Sequence, residues 1–310
     1  MTPFAAFIPL QAGPTEPLSC RFPCSIVHPL SPGIRDILKE TDGREPDLSS
    51  VILGLVLSGV TIWEGRSRAV VQIGEDVVVK IAQHLAHDEH GVLQFLEEHV
   101  PSIPAPRPLG LITVGSTSFM FMTKIAGTTL ETRWPTLSMD AKTHVRRVLD
   151  MHLKGLRELE LPSGSPFGSP VGRRLCKDIR RDARVGASSI YSESQFNDFL
   201  VHSPTSRAAP SHKNWLRSML RTDHRVVFAH ADFHPRNIMV VDSPGGIIEL
   251  SGILDWESSG FYPEYWEQLK AMNTRSVKDA SDWWDHLPPC ILGYDQEIVL
   301  DQVIECTVVY

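Results

Sequence analysis

The sequence predicts a mixed α+β protein, and three observations point to this class. Residues 226–257 have the pattern strand, loop, strand, tight turn, strand. The β-branched run at 76–82 predicts a further strand, and residues 88–100 after it have helical periodicity. The chain has 310 residues, of which 42% are hydrophobic, which is enough for about two domains or lobes with a sizeable core.

The first elements along the chain are an extension and a hairpin. Residues 1–48 are rich in proline, serine and threonine, and we expect them to form an amino-terminal extension that is partly disordered. Residues 63–74 then predict a hairpin whose loop has one glycine, Gly65, at its tip.

A strand and a helix follow the hairpin. Residues 76–82 predict a strand that has Lys80 near its end. In the next segment, Glu89 falls in the first turn of the predicted helix, and Pro101 marks the end of that helix. The apolar face of the helix consists of Val92, Leu93, Phe95, Leu96 and Val100.

An apolar strand and a core helix come next. Residues 118–125 predict the strand, and Ser138 is the expected N-cap of the helix. The apolar positions of this helix are Val145, Val148, Leu149, Leu156 and Leu159. Their periodicity indicates packing in a core and carries no chemistry.

The predicted strand–loop–strand segment also carries acidic and amide side chains at its strand ends. His230, Asp232 and Asn237 have the spacing H-x-D-x-x-x-x-N, and Asp255 closes the next apolar strand in I-L-D-W-E. The turn at 243–246 would bring Asp255 beside Asn237. Kinase-type phosphoryl transfer needs a carboxylate to orient and deprotonate a hydroxyl, and an amide oxygen and a second carboxylate to hold Mg²⁺. Asp and Asn also occur often in turns, but the four residues together favour an ATP- or GTP-dependent phosphotransferase.

The segments HADFHPRN and GILDWESSGFYPEYWE resemble the catalytic core of the aminoglycoside phosphotransferase (APH) superfamily, which also contains choline kinase-like and homoserine kinase-like enzymes. With Gly260, Pro263, Tyr265 and Trp266, the chain is most similar to the broad APH-like group common in fungi. The resemblance implies a two-lobed, protein-kinase-like fold. A small β-rich lobe would grip the nucleotide, and a larger, mainly helical lobe would hold the acceptor.

The resemblance also implies lobe boundaries and catalytic roles. Residues 49–124 would form the nucleotide-binding lobe and residues 125–310 the catalytic and acceptor-binding lobe. Asp232 matches the catalytic base, and His230 matches the residue that braces the catalytic loop. Asn237 and Asp255 match the metal ligands. For His234 we prefer a buried, hydrogen-bonded structural histidine to a catalytic one.

The nucleotide contacts are expected from the first lobe. By the resemblance, Lys80 would contact the α- and β-phosphates and pair with Glu89, with Asp88 as the competing partner. Ser67 would place its hydroxyl near the phosphates, together with the backbone N–H groups of Gly65 and Arg66. A protein kinase would have three glycines in this loop, whereas this chain has one. An ordinary hairpin without a phosphate contact therefore explains the loop equally well.

The main chain of the strand at 118–125 would read the purine. The resemblance assigns this contact to backbone groups from Met122 to Lys124. Because main-chain atoms would do the reading, the side chains do not distinguish ATP from GTP.

Charge limits the range of partners. The net charge of −7 and the pI of about 6.0 argue against a general nucleic-acid binder. Residues 249–310 contain twelve acidic and three basic side chains. This excess of negative charge would attract a cationic acceptor such as an amine or aminosugar. A solvated acidic face is the alternative. The basic run at 173–184 favours a solvated loop or helix over an anion site.

The cysteine content and the apolar runs predict a cytoplasmic protein without a membrane partner. Five cysteines, an odd number, do not suggest a disulfide framework. The longest apolar run, at 51–63, is too short and too mixed to span a bilayer. The apolar stretch at 4–10 lacks a basic region before it, so we expect no secretory signal.

Three functional classes remain open. The first is a Mg²⁺-dependent phosphotransferase that uses ATP or GTP and phosphorylates a hydroxyl of an aminoglycoside-like, choline-like or other small molecule. The second is a protein kinase, which is disfavoured because D-W-E replaces D-F-G and no A-P-E element or long activation segment follows. The third is a weak or inactive nucleotide-binding or scaffold protein, suggested by the reduced glycine loop and by a chain that stops soon after Trp283 and Trp284.

Overall fold

The chain has an α+β architecture, as the sequence predicts. The structure is a computed structural model that describes residues 24–39, 48–65, 68–83, 88–179, 184–203 and 206–309. Two compact units are present: residues 1–94 with 106–125, and residues 95–105 with 126–310. None of the helices in the described ranges is both long enough and apolar enough to cross a membrane.

The first unit contains an antiparallel sheet of six strands in the order β1-β5-β6-β4-β3-β2. The strands are β1 Cys24–His28, β2 Val60–Glu64, β3 Arg68–Gln72, β4 Val77–Gln83, β5 Pro108–Val114 and β6 Thr117–Thr123. Helices α1 Pro32–Lys39 and α2 Leu48–Ser58 belong to the same unit, and α3 Asp88–His99 begins in it.

The core of the first unit forms on one face of this sheet. Phe119 and Phe121 of β6 both belong to this core. They are two residues apart in the strand, so their side chains lie on the same face of the sheet. Ile52 of α2 packs against them. Residues 24–39, which the sequence assigned to the extension, also contribute: β1 pairs with β5, and Ile34 of α1 is 1% exposed. The rest of that expected extension, 1–23 and 40–47, lies outside the described residues.

The second unit combines small sheets with helices. Its strands are β7 Thr128–Thr129, β8 Lys177–Asp178, β9 Arg184–Val185, β10 Val226–Ala229, β11 Ile238–Asp242, β12 Ile248–Ile253 and β13 Gly260–Pro263. The helices are α4 Leu130–Arg133, α5 Met139–Arg157, α6 Glu193–Val201, α7 Pro210–Met219, α8 Trp266–Asn273 and α9 Asp295–Ile304. Ser138 caps α5 by accepting a hydrogen bond from the Ala141 N–H at 3.2 Å, and Val145 and Leu149 of this helix are buried as predicted.

The predicted hairpin is present between β11 and β12. Ile238 pairs with Ile253, and the turn contains Gly245 and Gly246 with φ of +96° and +78°, which only glycine adopts readily. Strand β10 does not join this hairpin; it pairs with β13. The basic run expected to be solvated is also partly ordered and buried: it contains β8 and β9, and Asp178 has no exposed surface.

Candidate active site

The loop from β10 to β11 contains a residue in a strained backbone conformation, Ala231, and one buried carboxylate accepts hydrogen bonds from this part of the loop. Ala231 has φ +62°, a left-handed conformation that is uncommon for a residue with a Cβ. Glu267 of α8 accepts hydrogen bonds from the N–H groups of His230 at 2.5 Å and Ala231 at 3.1 Å. Because Glu267 is only 2% exposed, these charge-assisted bonds are shielded from water and fix the backbone of the loop.

His230 connects this loop to the segment that ends β12. Its Nδ1 accepts from the Asp232 N–H at 3.2 Å, and its Nε2 donates to the Leu254 carbonyl at 2.9 Å. A backbone N–H can only donate and a carbonyl can only accept, so the two bonds assign the ring proton to Nε2. Ser259 donates to the His230 carbonyl at 3.0 Å. His230 thereby fixes the positions of Asp232 and of the residue before Asp255.

Asp232 is held from two directions. Asn237 Nδ2 donates to Asp232 Oδ2 at 2.9 Å and to the Asp232 carbonyl at 2.9 Å. Arg236 Nη2 donates to Oδ1 at 3.1 Å. Burial raises the pKa of Asp232, and the charge of Arg236 opposes that rise, whereas the charge of Asp255 adds to it. The carboxylate therefore has a defined orientation and increased basicity.

Oxygen donors that suit a magnesium ion lie where β11 begins and where β12 ends. The Leu254 N–H donates to the Asn237 carbonyl at 2.7 Å, which brings the two strand ends together. Since Asn237 Nδ2 faces Asp232, its Oδ1 is directed elsewhere and accepts no hydrogen bond from any described residue. Asp255 follows Leu254 with φ +64°. An amide oxygen and a carboxylate are hard donors, so this pair fits Mg²⁺.

His234 is a structural residue of the same loop. It is 8% exposed, and its Nδ1 accepts from the Arg236 N–H at 3.2 Å, which caps the short 3-10 helix Pro235–Asn237. Burial, followed by the charge of Arg236, lowers the pKa of His234 to about 4. The ring is therefore neutral at physiological pH.

In the first unit, the expected lysine–glutamate pair is present. Lys80 Nζ of β4 lies 2.7 Å from Glu89 Oε2 of α3, and the two side chains are 8% and 2% exposed. Directly opposed residues in adjacent strands share a face of the sheet, so apolar side chains flank Lys80 on both sides. Val70 of β3 and Met120 of β6 are the cross-strand partners of Lys80.

The main chain expected to read a purine is partly engaged already. The Thr123 N–H donates to the Arg107 carbonyl at 3.0 Å, and the Lys124 N–H donates to the Asp76 carbonyl at 2.8 Å. Met122 pairs with Val78 inside the sheet. The next N–H along the chain, that of Ile125, donates to no described residue. An N–H group without a partner among the described residues, that of Ile125, thus lies directly after the stretch from Met122 to Lys124.

The hairpin between β2 and β3 is described only in part. The Gly65 N–H donates to the Arg68 carbonyl at 2.8 Å, which closes the base of the loop. A Cβ at Gly65 would lie 2.8 Å from the Trp63 ring, so a larger residue there would require this exposed ring to shift. Arg66 and the expected phosphate contact Ser67 lie outside the described residues.

Glu267 was not predicted as a site residue. In the sequence it is one of twelve acidic residues between positions 249 and 310. The available signal is its context in P-E-Y-W-E-Q-L, where an acidic side chain follows two aromatic residues that are both buried in the structure, Tyr265 and Trp266. A carboxylate in such a position needs buried partners, which are here the two N–H groups of the loop.

Known proteins share this fold and these sequence features. The model of the phosphotransferase enzyme family, APH, matches residues 58–285. No curated protein sequence matches the chain. The solved structures that are similar to this chain include three at 13–14% identity. The streptomycin–ATP–APH(2″)-IIa ternary complex has a TM-score of 0.54 and 14% identity, over 85% of this chain and 87% of its own. The gentamicin–APH(2″)-IIa complex has a TM-score of 0.53 and 14% identity, over 85% and 86%. The GDP and kanamycin complex of APH(2″)-IIia has a TM-score of 0.51 and 13% identity, over 80% and 82%. At this identity the likeness establishes the fold, and it confirms the predicted two-lobed, protein-kinase-like α+β class.

Proposed function

The chain belongs to the phosphotransferase enzyme family APH, and we propose that it transfers the terminal phosphoryl group of ATP or GTP to a hydroxyl of a small molecule. The observation that carries this proposal is the arrangement around Asp232. Its carboxylate is oriented by Asn237 and Arg236 on a loop fixed by Glu267, beside a second carboxylate and an amide oxygen.

Asp232 would orient the acceptor hydroxyl and accept its proton. As the hydroxyl oxygen forms its bond to the phosphorus atom, the bond from phosphorus to the nucleotide oxygen breaks and the proton passes to the carboxylate. His230 would not take part in this transfer. Its two ring nitrogens are engaged by the main chain, so its proposed role is to position the loop.

Asn237 and Asp255 would hold Mg²⁺ through the amide oxygen and the carboxylate. Bound there, Mg²⁺ would neutralise charge on the phosphate oxygens. The hydrogen bond from the Leu254 N–H to the Asn237 carbonyl keeps the two ligands at adjacent strand ends.

Lys80 would contact the α- and β-phosphates, with Glu89 holding its ammonium group in place. Burial of this ion pair supports a functional role, since lysine and glutamate are otherwise rarely buried. Val70 on the same face would pack against the purine, and backbone groups from Met122 to Lys124, with the Ile125 N–H next to them, would read the edge of the purine.

A cationic acceptor is the substrate class that the charges favour. Near the loop, Glu131 Oε1 lies 3.9 Å from His234 Nδ1 with 58% of its side chain exposed, and the charge of Asp279 acts on the same histidine. Streptomycin and kanamycin in the similar structures are themselves cationic small molecules. The net charge of −7 leads us to expect no nucleic-acid partner. The cysteine content and the short apolar runs lead us to expect a cytoplasmic location without a membrane partner.

Phosphoryl transfer and its dependence on Asp232 test the proposal. The wild-type chain should hydrolyse ATP or GTP slowly with Mg²⁺, and a screen of amines, aminosugars and sugars by mass spectrometry should reveal a phosphorylated product. Asp232→Asn should lower turnover by about 10²–10⁴-fold without loss of nucleotide binding. The matched control is Asp140→Asn, which changes an exposed residue of α5.

Two results would contradict the proposal. Unchanged turnover in Asp232→Asn would exclude the assigned base. Absence of thermal stabilisation by any Mg²⁺–nucleotide mixture would instead favour the scaffold alternative.

A further inference from the structure

A buried cluster of charges lies beneath β8 in the second unit. Asp178 has no exposed surface and forms ion pairs with Lys270 of α8 and with Arg184 of β9. Lys270 is 3% exposed, and its ammonium group lies 4.2 Å from the centre of the Trp266 ring. Charges so deeply buried are retained only when they are paired, so the cluster fixes β8 to α8.

Lys177, the residue before Asp178, forms hydrogen bonds near Asp255, the candidate metal ligand. Lys177 Nζ donates to the Glu257 carbonyl at 2.6 Å, and the Lys177 N–H donates to the Tyr262 hydroxyl at 3.1 Å. That hydroxyl in turn donates to the Ser258 carbonyl at 3.1 Å. Lys177 is therefore bonded, directly and through Tyr262, to the two residues that lie two and three positions after Asp255.

The segment that receives these bonds contains a residue in the left-handed conformation. Asp255 has φ +64°, a region that is uncommon for residues with a Cβ, although aspartate enters it more readily than most. The hydrogen bond from Leu254 N–H to Asn237 holds the segment before Asp255. Lys177 and Tyr262 hold the segment after it.

We propose that Lys177 is a positioning residue for Asp255, and that the buried Asp178–Lys270–Arg184 cluster keeps Lys177 in place. The inference rests on the proposed role of Asp255 as a ligand of the metal. A charged donor on the Glu257 carbonyl limits rotation of the Asp255 backbone, so the carboxylate stays directed at the metal. Helix α8 thereby contributes to both sites, because its Glu267 accepts from the loop between β10 and β11 and its Lys270 pairs with Asp178, the residue next to Lys177.

The metal contribution to nucleotide binding tests the role of Lys177. ATP affinity is measured for the full chain by calorimetry, once with Mn²⁺ and once in EDTA, and the ratio of the two affinities reports on the metal site. In Lys177→Met this ratio should fall by about tenfold or more, while affinity in EDTA stays at the wild-type value. The electron paramagnetic resonance spectrum of bound Mn²⁺ should also change.

Two variants serve as controls. Lys177→Arg keeps a charged donor and should recover most of the ratio. Arg173→Met removes a positive charge from the same basic run at an exposed position and should behave like the wild type. Thermal unfolding of each variant verifies that it is folded.

The outcomes separate this inference from the proposed function. If the wild type shows no gain in ATP affinity from Mn²⁺, the proposed metal site and the inference both fail. If the wild type shows the gain and Lys177→Met retains it, only the inference fails. Equal losses with Mn²⁺ and in EDTA would make Lys177 a contact of the nucleotide and would also overturn its positioning role.

Discussion

Asp232 would carry the proton transfer in the proposed reaction, and its neighbours determine its strength as a base. Burial raises the pKa of its carboxyl group, and the charge of Arg236 opposes that rise. A raised pKa increases the basicity of the carboxylate, and Arg236 favours the ionised form that is able to accept a proton. The 3.1 Å bond to Arg236 therefore affects both the orientation and the charge of the base.

Replacement of Arg236 should shift the pH dependence of the reaction. In Arg236→Met the pKa of Asp232 should rise further, because burial remains and the opposing charge is gone. Only the ionised carboxylate accepts the proton, so the acidic limb of the profile of kcat/KM against pH should move to higher pH. Initial rates between about pH 5 and 9 measure this shift. Arg207→Met, at an exposed position, is the control; an acidic limb that stays in place would show that Arg236 does not tune the base.

At the scale of elements, the eight-residue helix α8 positions two separate parts of the second unit. Its Glu267 accepts from the two N–H groups that precede Asp232, and its Lys270 pairs with Asp178 on β8. The two side chains are three residues apart and hence neighbours on the helix surface. A displacement of α8 would accordingly affect both the loop from β10 to β11 and the strand β8.

Removal of the negative charge from Glu267 should loosen the catalytic loop. An amide offers one acceptor oxygen, so in Glu267→Gln one of the two N–H groups would face an NH₂ group instead. The buried, unsatisfied donor should lower the free energy of unfolding by about 1–3 kcal/mol. Urea denaturation measures this loss, and turnover should fall with it. Glu249→Gln, on the exposed face of β12, should leave stability and turnover near the wild-type values; the same behaviour in Glu267→Gln would refute the assigned role.

At the scale of the whole molecule, the two units do not correspond to two continuous halves of the chain. Residues 95–105 belong to the second unit, and the chain then returns to the first unit for β5 and β6. Within the second unit, the Ile253 N–H donates to the Pro104 carbonyl at 2.7 Å, and the Phe95 ring stacks on Phe228 with centroids 5.6 Å apart. These contacts explain why a single boundary near residue 125 does not describe both units.

The buried charge cluster should contribute to global stability in a way that depends on its balance. Asp178→Asn would leave Lys270 and Arg184 without their shared counter-charge, which should cost about 3–5 kcal/mol in the free energy of unfolding. Combining it with Lys270→Met should recover part of that loss, because the buried positive charge is then also absent. Chemical denaturation of the single and double variants provides the measurement, with Asp285→Asn at an exposed position as control. Additive losses in the double variant would contradict a coupled cluster.

Local sequence was sufficient to predict how several of the candidate residues are arranged. The spacing of His230, Asp232 and Asn237 predicted one loop between strands, and the turn residues predicted the hairpin that brings Asp255 near Asn237. The Lys80–Glu89 ion pair was expected from the resemblance to the APH superfamily, and its strand and helix adjoin in sequence. Each of these relations depends on turns and periodicities within about thirty residues, which short-range patterns describe well.

Relations between distant segments were not predictable in this way. The pairing of β10 with β13, the bonds from Glu267 to the loop and the ion pair of Lys270 with Asp178, 92 residues apart, all needed the structure. A charged residue in sequence has no mark that says whether it will be solvated or buried with a partner. For that reason the basic run at 173–184 was expected to be solvated, although Asp178 within it is fully buried.

The sequence by itself determined which polar groups this chain brings close together, because residue identity and local spacing set Asp232, Asn237 and Asp255 at neighbouring strand ends. The tertiary structure decided how those groups are held. Burial and long-range pairing set the basicity of Asp232 and the fixed conformations of Ala231 and Asp255. These properties depend on desolvation and on partners from distant segments, and neither exists until the chain has folded.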